Sequence, residues 1–457
     1  MTKVPVWFVA GVLLASSAMA QTAREAELQA RVDRLEQRLS DVEGKSDENW
    51  LNERRAEEIK GLVREVINDA DTRASLLADG ATAGHDGKAL FIGSAGGEFL
   101  LKVGGQIQFR YLFNGHNGNA GDREDEGFQM RRAKLAFSGH VTAGPKWSYD
   151  VVLAVNRTNG ALDAEDVIVG TALAEGVEIQ FGKFKIPFLR EELNSSKRLL
   201  AVERGQATEF FTLDRAEQIQ ISYEGDMFRA WASINDGADS EFTTIGSDNV
   251  ELAVAARIEV KIMGNWKQID DIGLAWMGEE TGLIVGGAVT FQLGDGPNAG
   301  AAAGLGGGGG QGAAYSNSDY FGWTVDANFE TNNIGLFAAL MGGHINADGT
   351  GGTRNMYGVM AQASYNINDQ FNPFLRFEWV DGGGATKDLY AITFGMNYFF
   401  KKHNAKLTVD VKWELSGATF AGNTFGNATV SDGFGQSLGD THGKDSFVIR
   451  IQFQLLF

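Results

Sequence analysis

The sequence predicts an all-β chain: a transmembrane barrel of roughly sixteen antiparallel strands that follows an N-terminal helical coiled-coil segment. Three observations support this fold class. Apolar residues recur at every second position in long runs between Phe99 and Phe457. The positions between them carry charged and polar residues. The segment before these runs has a helical heptad pattern instead.

The last run of the chain shows the alternation clearly. Its large apolar residues stand two positions apart, at Phe447, Ile449, Ile451, Phe453, Leu455 and Phe457. A period of two gives a strand with two different faces, which fits either a soluble sandwich or a membrane barrel. Most such runs are ten or more residues long, whereas soluble strands usually have about 5–6 residues and tilted transmembrane strands about 9–11. Length therefore favours the membrane barrel.

The second face of these runs is charged, which separates the two alternatives. Its residues include Arg110, Arg132, Lys134, Asp150, Asp326, Glu330, Arg376, Glu378, Lys412 and Glu414. A soluble barrel or sandwich buries one face in a core that excludes unpaired charge. In a membrane barrel the apolar residues face lipid and the charged residues face a water-filled lumen, so neither face is in an unfavourable environment. Tyr111, Trp147 and Tyr398 near strand ends fit an interfacial aromatic girdle.

Composition excludes several classes of protein. The 457-residue chain has no cysteine, so thiolate metal sites, cysteine nucleophiles and disulfide scaffolds are excluded. Its six histidines are scattered without the spacing of a zinc hydrolase, and no nucleophile elbow occurs. We therefore expect no metal, no cofactor and no enzymatic activity. With a net charge of −19, we expect no nucleic-acid partner either.

The chain divides into four predicted segments. Residues 1–20 have the layout of a secretory signal peptide: Lys3, an uncharged run, and small residues before Gln21. Residues 21–79 are predicted to be helical and periplasmic, residues 80–98 a linker, and residues 99–457 the barrel. In the helical segment, Leu28, Val32, Leu35, Leu39 and Val42 form a heptad seam. A single amphipathic helix lying on its own protein is the alternative, but the narrow seam favours a short parallel coiled coil.

Turns are predicted to alternate between short and long, as in an antiparallel meander. Short turns fall near Glu224 and Asn332, and long loops span residues 114–127, 294–314 and 420–444. In outer-membrane barrels the short turns face the periplasm and the long loops face outwards. The glycine run at 306–310 is predicted to be part of an external loop, since no Lys-Ser/Thr pair follows it as a phosphate-binding loop requires.

Several stretches together resemble the phosphate-selective porin O and P family. They are FQMRRAKLAFSGHVTAGPKWSYDV (128–151), IQFGKFKIPFLREELNSSKRLLAVERG (179–205), PFLRFEWVD (373–381) and TFGMNYFFKKHNAKLTVDVKW (393–413), followed by the aromatic terminus. The resemblance extends from about Phe99 to Phe457. It implies a sixteen-stranded barrel, usually trimeric, in the outer membrane of a Gram-negative-type cell, with a loop folded into the lumen.

The resemblance also implies candidate anion-binding residues that line the channel. Arg131 and Arg132 match the central arginine pair of the family, and guanidiniums suit phosphate oxygens. Lys197 and Arg198 lie in the segment that resembles the inward-folded loop, and Lys183 and Lys185 precede it on a strand. Strict alternation would turn Arg131 towards lipid, so we expect either a β-bulge or a position near the rim of the apolar band, which would let both arginines reach water. Alternatively, the lumen arginines only pair with facing carboxylates such as Asp150 or Glu165.

The sequence thus predicts a porin in the cell outer membrane. Its expected partners are membrane lipid, two further copies of itself in a homotrimer, and small anions such as phosphate. The alternative is an envelope-structural protein, in which the N-terminal helix tethers the outer membrane to the cell wall and the barrel is a general, non-selective pore. Both roles could coexist in one chain.

Overall fold

A computed structural model describes residues 33–34, 80–86, 89–118, 121–156, 159–238, 250–294, 319–347, 352–383, 388–415 and 446–457. The chain divides into two compact units, residues 1–78 and 79–457. In the first unit only Asp33 and Arg34 are described, and both are helical. The predicted signal peptide and coiled coil (residues 1–20 and 21–79) therefore lie outside the described residues, apart from these two.

The second unit consists mainly of β-strands, as predicted. The strands are β1 (Ala81–His85), β2 (Leu90–Ser94), β3 (Phe99–Gly118), β4 (Gly121–Thr142), β5 (Lys146–Val155), β6 (Leu162–Ala174), β7 (Val177–Lys185), β8 (Arg215–Glu224), β9 (Phe228–Asn235), β10 (Val250–Met263), β11 (Glu279–Gly294), β12 (Asp319–Asn332), β13 (Ile334–Ala347), β14 (Gly352–Tyr365), β15 (Phe371–Asp381), β16 (Leu389–Lys401), β17 (Ala405–Glu414) and β18 (Ser446–Leu456). Two short helices, α1 (Arg190–Leu193) and α2 (Gln206–Phe211), and a 3₁₀ turn at Gln268–Asp270 lie between them. Among the described residues, no helix combines the length and apolarity needed to cross a bilayer.

Sixteen of the described strands, β3 to β18, form a closed antiparallel barrel. Each pairs with the next along the chain, and β18 pairs with β3 from Phe447↔Gly115 to Leu456↔Gln106. The residues that alternate along each strand face alternately the outside of the barrel and its lumen. Phe109, Val325, Leu340 and Phe394 are each between 44% and 52% exposed on the outer wall. The charged residues predicted for the other face, such as Arg110 and Glu330, are buried in the lumen, which confirms the sidedness.

The aromatic terminus closes this wall. The Gly105 backbone N–H donates to the carbonyl oxygen of Phe457 at 2.6 Å, and the Phe457 N–H donates back to Gly105 at 3.2 Å. The Phe457 ring lies directly over Gly105, so any side chain at position 105 would collide with the ring and with the Lys134 carbonyl. Phe457 thus continues the pairing of β18 with β3 by one residue, to Gly105.

Two segments differ from the sequence-based expectation. The predicted linker, residues 80–98, contains the hairpin β1–β2, and β2 pairs with β3 just beyond the end of β18, from Leu90↔Val103 to Gly93↔Leu100. Its Gly and Ala content suggested a flexible linker, but β3 extends past the terminus and offers a free edge. The predicted loop 114–127 is largely strand, because β3 and β4 pair out to Gly118↔Gly121. The glycine-rich stretch 295–318 and residues 416–445 lie outside the described residues.

Candidate functional site

The segment between β7 and β8, residues 186–214, folds into the barrel; we call it the inward loop. Its stretch 196–203 crosses the lumen, and inward-facing side chains of five strands bind its backbone. The bonds are Gln108 to the Ser196 carbonyl, Gln454 to Lys197, Lys406 to Leu199, Asn397 to Leu200, Arg376 to Glu203, and the Val202 N–H to Asp410, at 2.7–3.2 Å. Because six backbone groups of this stretch each have a specific wall partner, the stretch is held in one position.

The second half of the inward loop packs on an apolar part of the lumen. Phe210 and Phe211 of α2 are at most 3% exposed and belong to one cluster with Phe337, Met341 and Met360 of β13 and β14. The lumen face of β13 is therefore apolar, although the sequence pattern predicted charge inside. Both faces of β13 are apolar, because its inner face packs against the inward loop in a hydrophobic core and its outer face meets lipid.

A second segment enters the lumen from the opposite end, the end of the short turns. The connection between β10 and β11, residues 264–278, has 15 residues, whereas the neighbouring turns at this end have only a few. We call it the inward turn. Its carbonyls at Ile272, Gly273 and Ala275 accept hydrogen bonds from Gln362, Ser364 and Asn366 of β14 and the residue after it. Nothing in the alternation of the sequence distinguished this turn from the others.

The inward turn and the inward loop meet inside the barrel. Leu274 and Trp276 form an apolar cluster with Leu200, Ala201 and the wall residues Phe374 and Phe399. Beside it, Arg198 Nη1 lies 3.0 Å from Asp270 and 3.7 Å from Asp271. Together the two segments contact the inner faces of β13 to β18, on one side of the lumen.

The other side of the lumen contains a cavity of about 830 Å³ between the inward loop and strands β4 to β9. Nine basic side chains line it: Arg131, Arg132, Lys134, Lys185, Arg190, Lys197, Arg204, Arg215 and Arg229. Seven acidic side chains line it as well: Asp150, Glu165, Asp166, Glu192, Glu209, Asp214 and Asp270. The lining is therefore strongly charged, with a small excess of positive groups.

A β-bulge in β4 turns both arginines of the predicted pair into the lumen. Arg132 pairs with Gln108 and Met130 pairs with Phe109, so Arg131 is an extra residue without an opposite partner in β3. Met130 is 46% exposed on the outer wall, while the side chains of Arg131 and Arg132 are only 14% and 8% exposed. The bulge expected from the sequence is present, and it avoids placing a guanidinium in lipid.

Three arginines converge on one carboxylate of the inward loop. Glu203 Oε1 accepts from Arg110 Nη1 at 2.5 Å and from Arg131 Nε, and Glu203 Oε2 accepts from Arg131 Nη2 at 3.1 Å and Arg132 Nη2 at 2.9 Å. Burial alone would raise the pKa of the Glu203 carboxyl, but Arg131, Arg132 and Arg110 together hold that pKa well below its ordinary value. The arginine pair is thus bound to an internal anion, and its partner is neither Asp150 nor Glu165.

Glu165 pairs instead with other residues of the cavity wall. Lys134 Nζ donates to Glu165 Oε1 at 2.6 Å, and Arg215 Nη2 lies 3.1 Å from the same oxygen. Arg215 Nε also donates to Asp166 at 2.8 Å. On the loop side of the cavity, Arg204 Nε lies 3.0 Å from Glu192. Charges of both signs therefore alternate around the passage.

The cavity brings together four of the six candidate residues: Arg131, Arg132, Lys185 and Lys197. Lys183 and Arg198 do not line it. Lys183 is 3% exposed and its Nζ donates to the Ala164 carbonyl of the neighbouring strand at 2.9 Å. Arg198 points towards the inward turn, where the two aspartates hold it. The resemblance could not specify that Lys197 lines the cavity while the next residue, Arg198, pairs with the inward turn.

Sequence reasoning gave no role to Glu203, Arg204 or Arg215, although all three shape the cavity. The signal that could have indicated Glu203 is an acidic residue directly after the apolar run LLAV (199–202) of the loop. Among the described residues, no cluster of His, Cys, Asp and Glu could hold a metal ion. The site offers a cavity whose charged lining residues largely form ion pairs.

The family model described as "Phosphate-selective porin O and P" matches residues 101–414. This chain belongs to that family. Porin O of Pseudomonas aeruginosa is 30% identical over 147 residues, which are 30% of this chain and 33% of the relative, so the chain matches about a third of the length of that curated relative. The family and the barrel place the chain in the outer membrane.

Solved structures of outer-membrane channels share the fold. An anion-selective porin from Comamonas acidovorans has a TM-score of 0.52 at 14% identity, covering 78% of this chain and 99% of that one. OmpT of Vibrio cholerae in a trimer form has a TM-score of 0.50 at 12% identity, covering 78% and 98%. The channel DcaP of Acinetobacter baumannii gives 0.50 at 13% identity, covering 78% and 97%. At these identities the likeness concerns the fold alone.

Proposed function

We propose that this protein is an outer-membrane channel through which small hydrophilic solutes diffuse passively, with a moderate preference for anions such as phosphate. The observation that carries the proposal is the charged cavity between the inward loop and strands β4 to β9, with nine basic and seven acidic side chains. Fixed charge at a narrow passage between low-dielectric walls selects ions by sign. The small positive excess supports a preference for anions, and the description of the family supports phosphate as one of them.

Arg131 and Arg132 are the proposed centre of this selectivity. With Arg110 and Glu203 they form a group of three guanidiniums and one carboxylate on the cavity wall. Such a group has a net charge of about +2, since arginine stays protonated at physiological pH. Lys185 and Lys197 add charge from the loop side. The same pairing explains why we propose a moderate preference: most cations of the cavity already have an anionic partner.

The experiment is a measurement of reversal potential on the purified protein in planar bilayers, with a tenfold gradient of KCl. In a channel that prefers anions, the reversal potential lies towards the equilibrium potential of chloride. Its magnitude decreases as the salt concentration rises on both sides, because ions screen the fixed charge. A non-selective channel, with a reversal potential near zero at low salt, would leave the envelope-structural alternative as the main role of the chain.

We further propose a homotrimer in which the N-terminal helices associate in the periplasm. The heptad seam Leu28–Val42 supports this, as does the trimeric form of OmpT, which shares the barrel fold. Attachment of the N-terminal helix to the cell wall is the second role that the sequence leaves open. Deleting residues 21–79 separates the two: trimer loss in mild detergent indicates the first, and loss of co-sedimentation with cell-wall sacculi indicates the second.

A further inference from the structure

The cluster of Arg110, Arg131, Arg132 and Glu203 has the composition of an occupied anion-binding site. The two oxygens of Glu203 accept four N–H groups from three guanidiniums. Guanidinium forks bind any oxyanion in this manner, whether it belongs to the chain or to a solute. One carboxylate offsets only one of the three positive charges, so the arginines retain a surplus of charge with Glu203 in place.

Two of the three guanidiniums, those of Arg110 and Arg132, are also oriented by groups other than Glu203, whereas Arg131 donates its hydrogen bonds to Glu203. Arg110 donates through Nε and Nη2 to Gln129 Oε1, at 2.8 and 2.5 Å. Arg132 Nη1 donates to Gln108 Oε1 at 2.8 Å, and Gln108 is itself held by Gln454 at 2.7 Å. These amides stay in place if the carboxylate is removed, and the arrangement of these two arginines is therefore expected to persist.

Solutes can reach this cluster from the cavity, because Arg131 and Arg132 form part of its wall. Glu203 approaches the three arginines from the inward loop, on the stretch 196–203 that the barrel wall holds in place. Its own carbonyl accepts from Arg376 Nη1 at 2.9 Å, and the preceding Val202 N–H donates to Asp410 at 2.9 Å. A carboxylate held in this way has a high effective concentration at the arginines. A free anion of similar affinity displaces it only when the concentration of that anion in solution is higher still.

We propose that Glu203 is a built-in competitor for the small oxyanions that the three arginines attract. The inference rests on the proposed channel function and adds a specificity-determining residue to it. In the native channel Glu203 occupies the site, so that anions pass with weak retention and a moderate preference. Without its charge, a permeating oxyanion binds in its place, and the channel becomes more anion-selective and is blocked by that oxyanion.

The test replaces Glu203 by Gln and uses inorganic phosphate as the probe. In planar bilayers, we expect E203Q to show a higher anion-to-cation permeability ratio than wild type, by several-fold at low salt. Added phosphate should reduce its chloride current with a saturable dependence on concentration. The matched control is Glu165→Gln, which removes an acidic charge from the same cavity but not from the three arginines. It should shift the permeability ratio without saturable block.

Each outcome has a defined meaning. Equal phosphate responses of E203Q and E165Q would contradict the proposal, because Glu203 would then act only through the overall charge of the cavity. Should E203Q not form a folded barrel, Glu203→Asp decides. Its shorter carboxylate cannot reach all three arginines, so phosphate block above the wild-type level supports the proposal and a wild-type response contradicts it. Wild-type protein that forms no channel in the same bilayers would overturn the proposed function instead, which keeps the two failures distinct.

Discussion

Arg132 Nη2 donates a hydrogen bond to Glu203 Oε2 over 2.9 Å, and this contact joins the barrel wall to the inward loop. It shows that the arginine pair has two roles at once. The pair supplies positive charge to the passage, and it anchors the loop that narrows the passage. Substitutions at these arginines must therefore be compared with variants that preserve charge.

Replacement of both Arg131 and Arg132 by Ala should lower the anion-to-cation permeability ratio. It changes the net charge of the cluster from about +2 to about zero, and a change of this size in a narrow passage should reduce the ratio by roughly 3–10-fold at low salt. The reversal potential in a KCl gradient measures it. The R131K/R132K variant keeps the charge and should stay close to wild type; an unchanged ratio in the alanine variant would remove the pair from the selectivity mechanism.

Closure of the barrel should depend on the contact between Gly105 and Phe457. A valine at position 105 would overlap the Phe457 ring and the Lys134 carbonyl, and forced overlap in a packed site typically costs about 1–3 kcal/mol. We expect G105V to lower the temperature at which the barrel unfolds in heat-modifiability gels. Gly127 in β4 provides the control, since a Cβ atom there would meet no neighbouring atom within 4 Å. Equal losses in G105V and G127V would refute this explanation of the aromatic terminus.

Asp271 should fix the inward turn, whereas its neighbour Asp270 should not. Asp271 accepts from Trp276 Nε1 at 2.8 Å and lies 3.4 Å from His403 and 3.7 Å from Arg198. The side chain of Asp270 is 45% exposed and faces Arg198 alone among the described ion pairs. We expect D271A to increase hydrogen–deuterium exchange in residues 268–276 at a fixed pH and D270A to leave it near the wild-type rate. Similar exchange in both variants would argue against the anchor.

The inward turn should loosen as the pH falls. His403, in the turn after β16, is faced by Asp271, by Lys406 of β17 and by Arg198 of the inward loop. Burial lowers the pKa of His403 below its ordinary 6.5, and Lys406 lowers it further. The neutral imidazole is thus favoured in the anchored state, and a released state binds the additional proton. Anchoring is complete above about pH 6.5 and is lost progressively below it.

Asp271 acts in the same direction at still lower pH. Burial would raise the pKa of this carboxyl, but His403, Trp276 and Arg198 hold it below its ordinary 3.8, so its contribution also disappears on acidification. We expect exchange in residues 268–276 to be equal in wild type and H403Q at pH 8 and faster in wild type at pH 5. Comparison at each pH removes the intrinsic pH dependence of exchange. A constant ratio of the two proteins would show that His403 does not sense pH here.

Local patterns in the sequence predicted the strands of the barrel wall, but not the segments and ion pairs inside the lumen. Alternation placed Arg110 and Glu330 inside, and the conflict at Arg131 indicated the bulge in β4, since both follow from the two faces of a strand. The partner of Arg131 lies 72 residues away on the inward loop, and no local pattern encodes such a pairing. The apolar lumen face of β13 and the inward turn were missed for the same reason: each depends on what fills the lumen.

The central claim is that solutes pass between the inward loop and strands β4 to β9, while the half of the lumen beside β13 is filled. The chain has no native cysteine, so single cysteines can test it directly. Ala154 lines the cavity, and Ala339 is buried in the apolar cluster on β13. In planar bilayers, a charged methanethiosulfonate reagent should sharply reduce the current of A154C and leave that of A339C unchanged. Block of A339C together with an unaffected A154C would contradict this path.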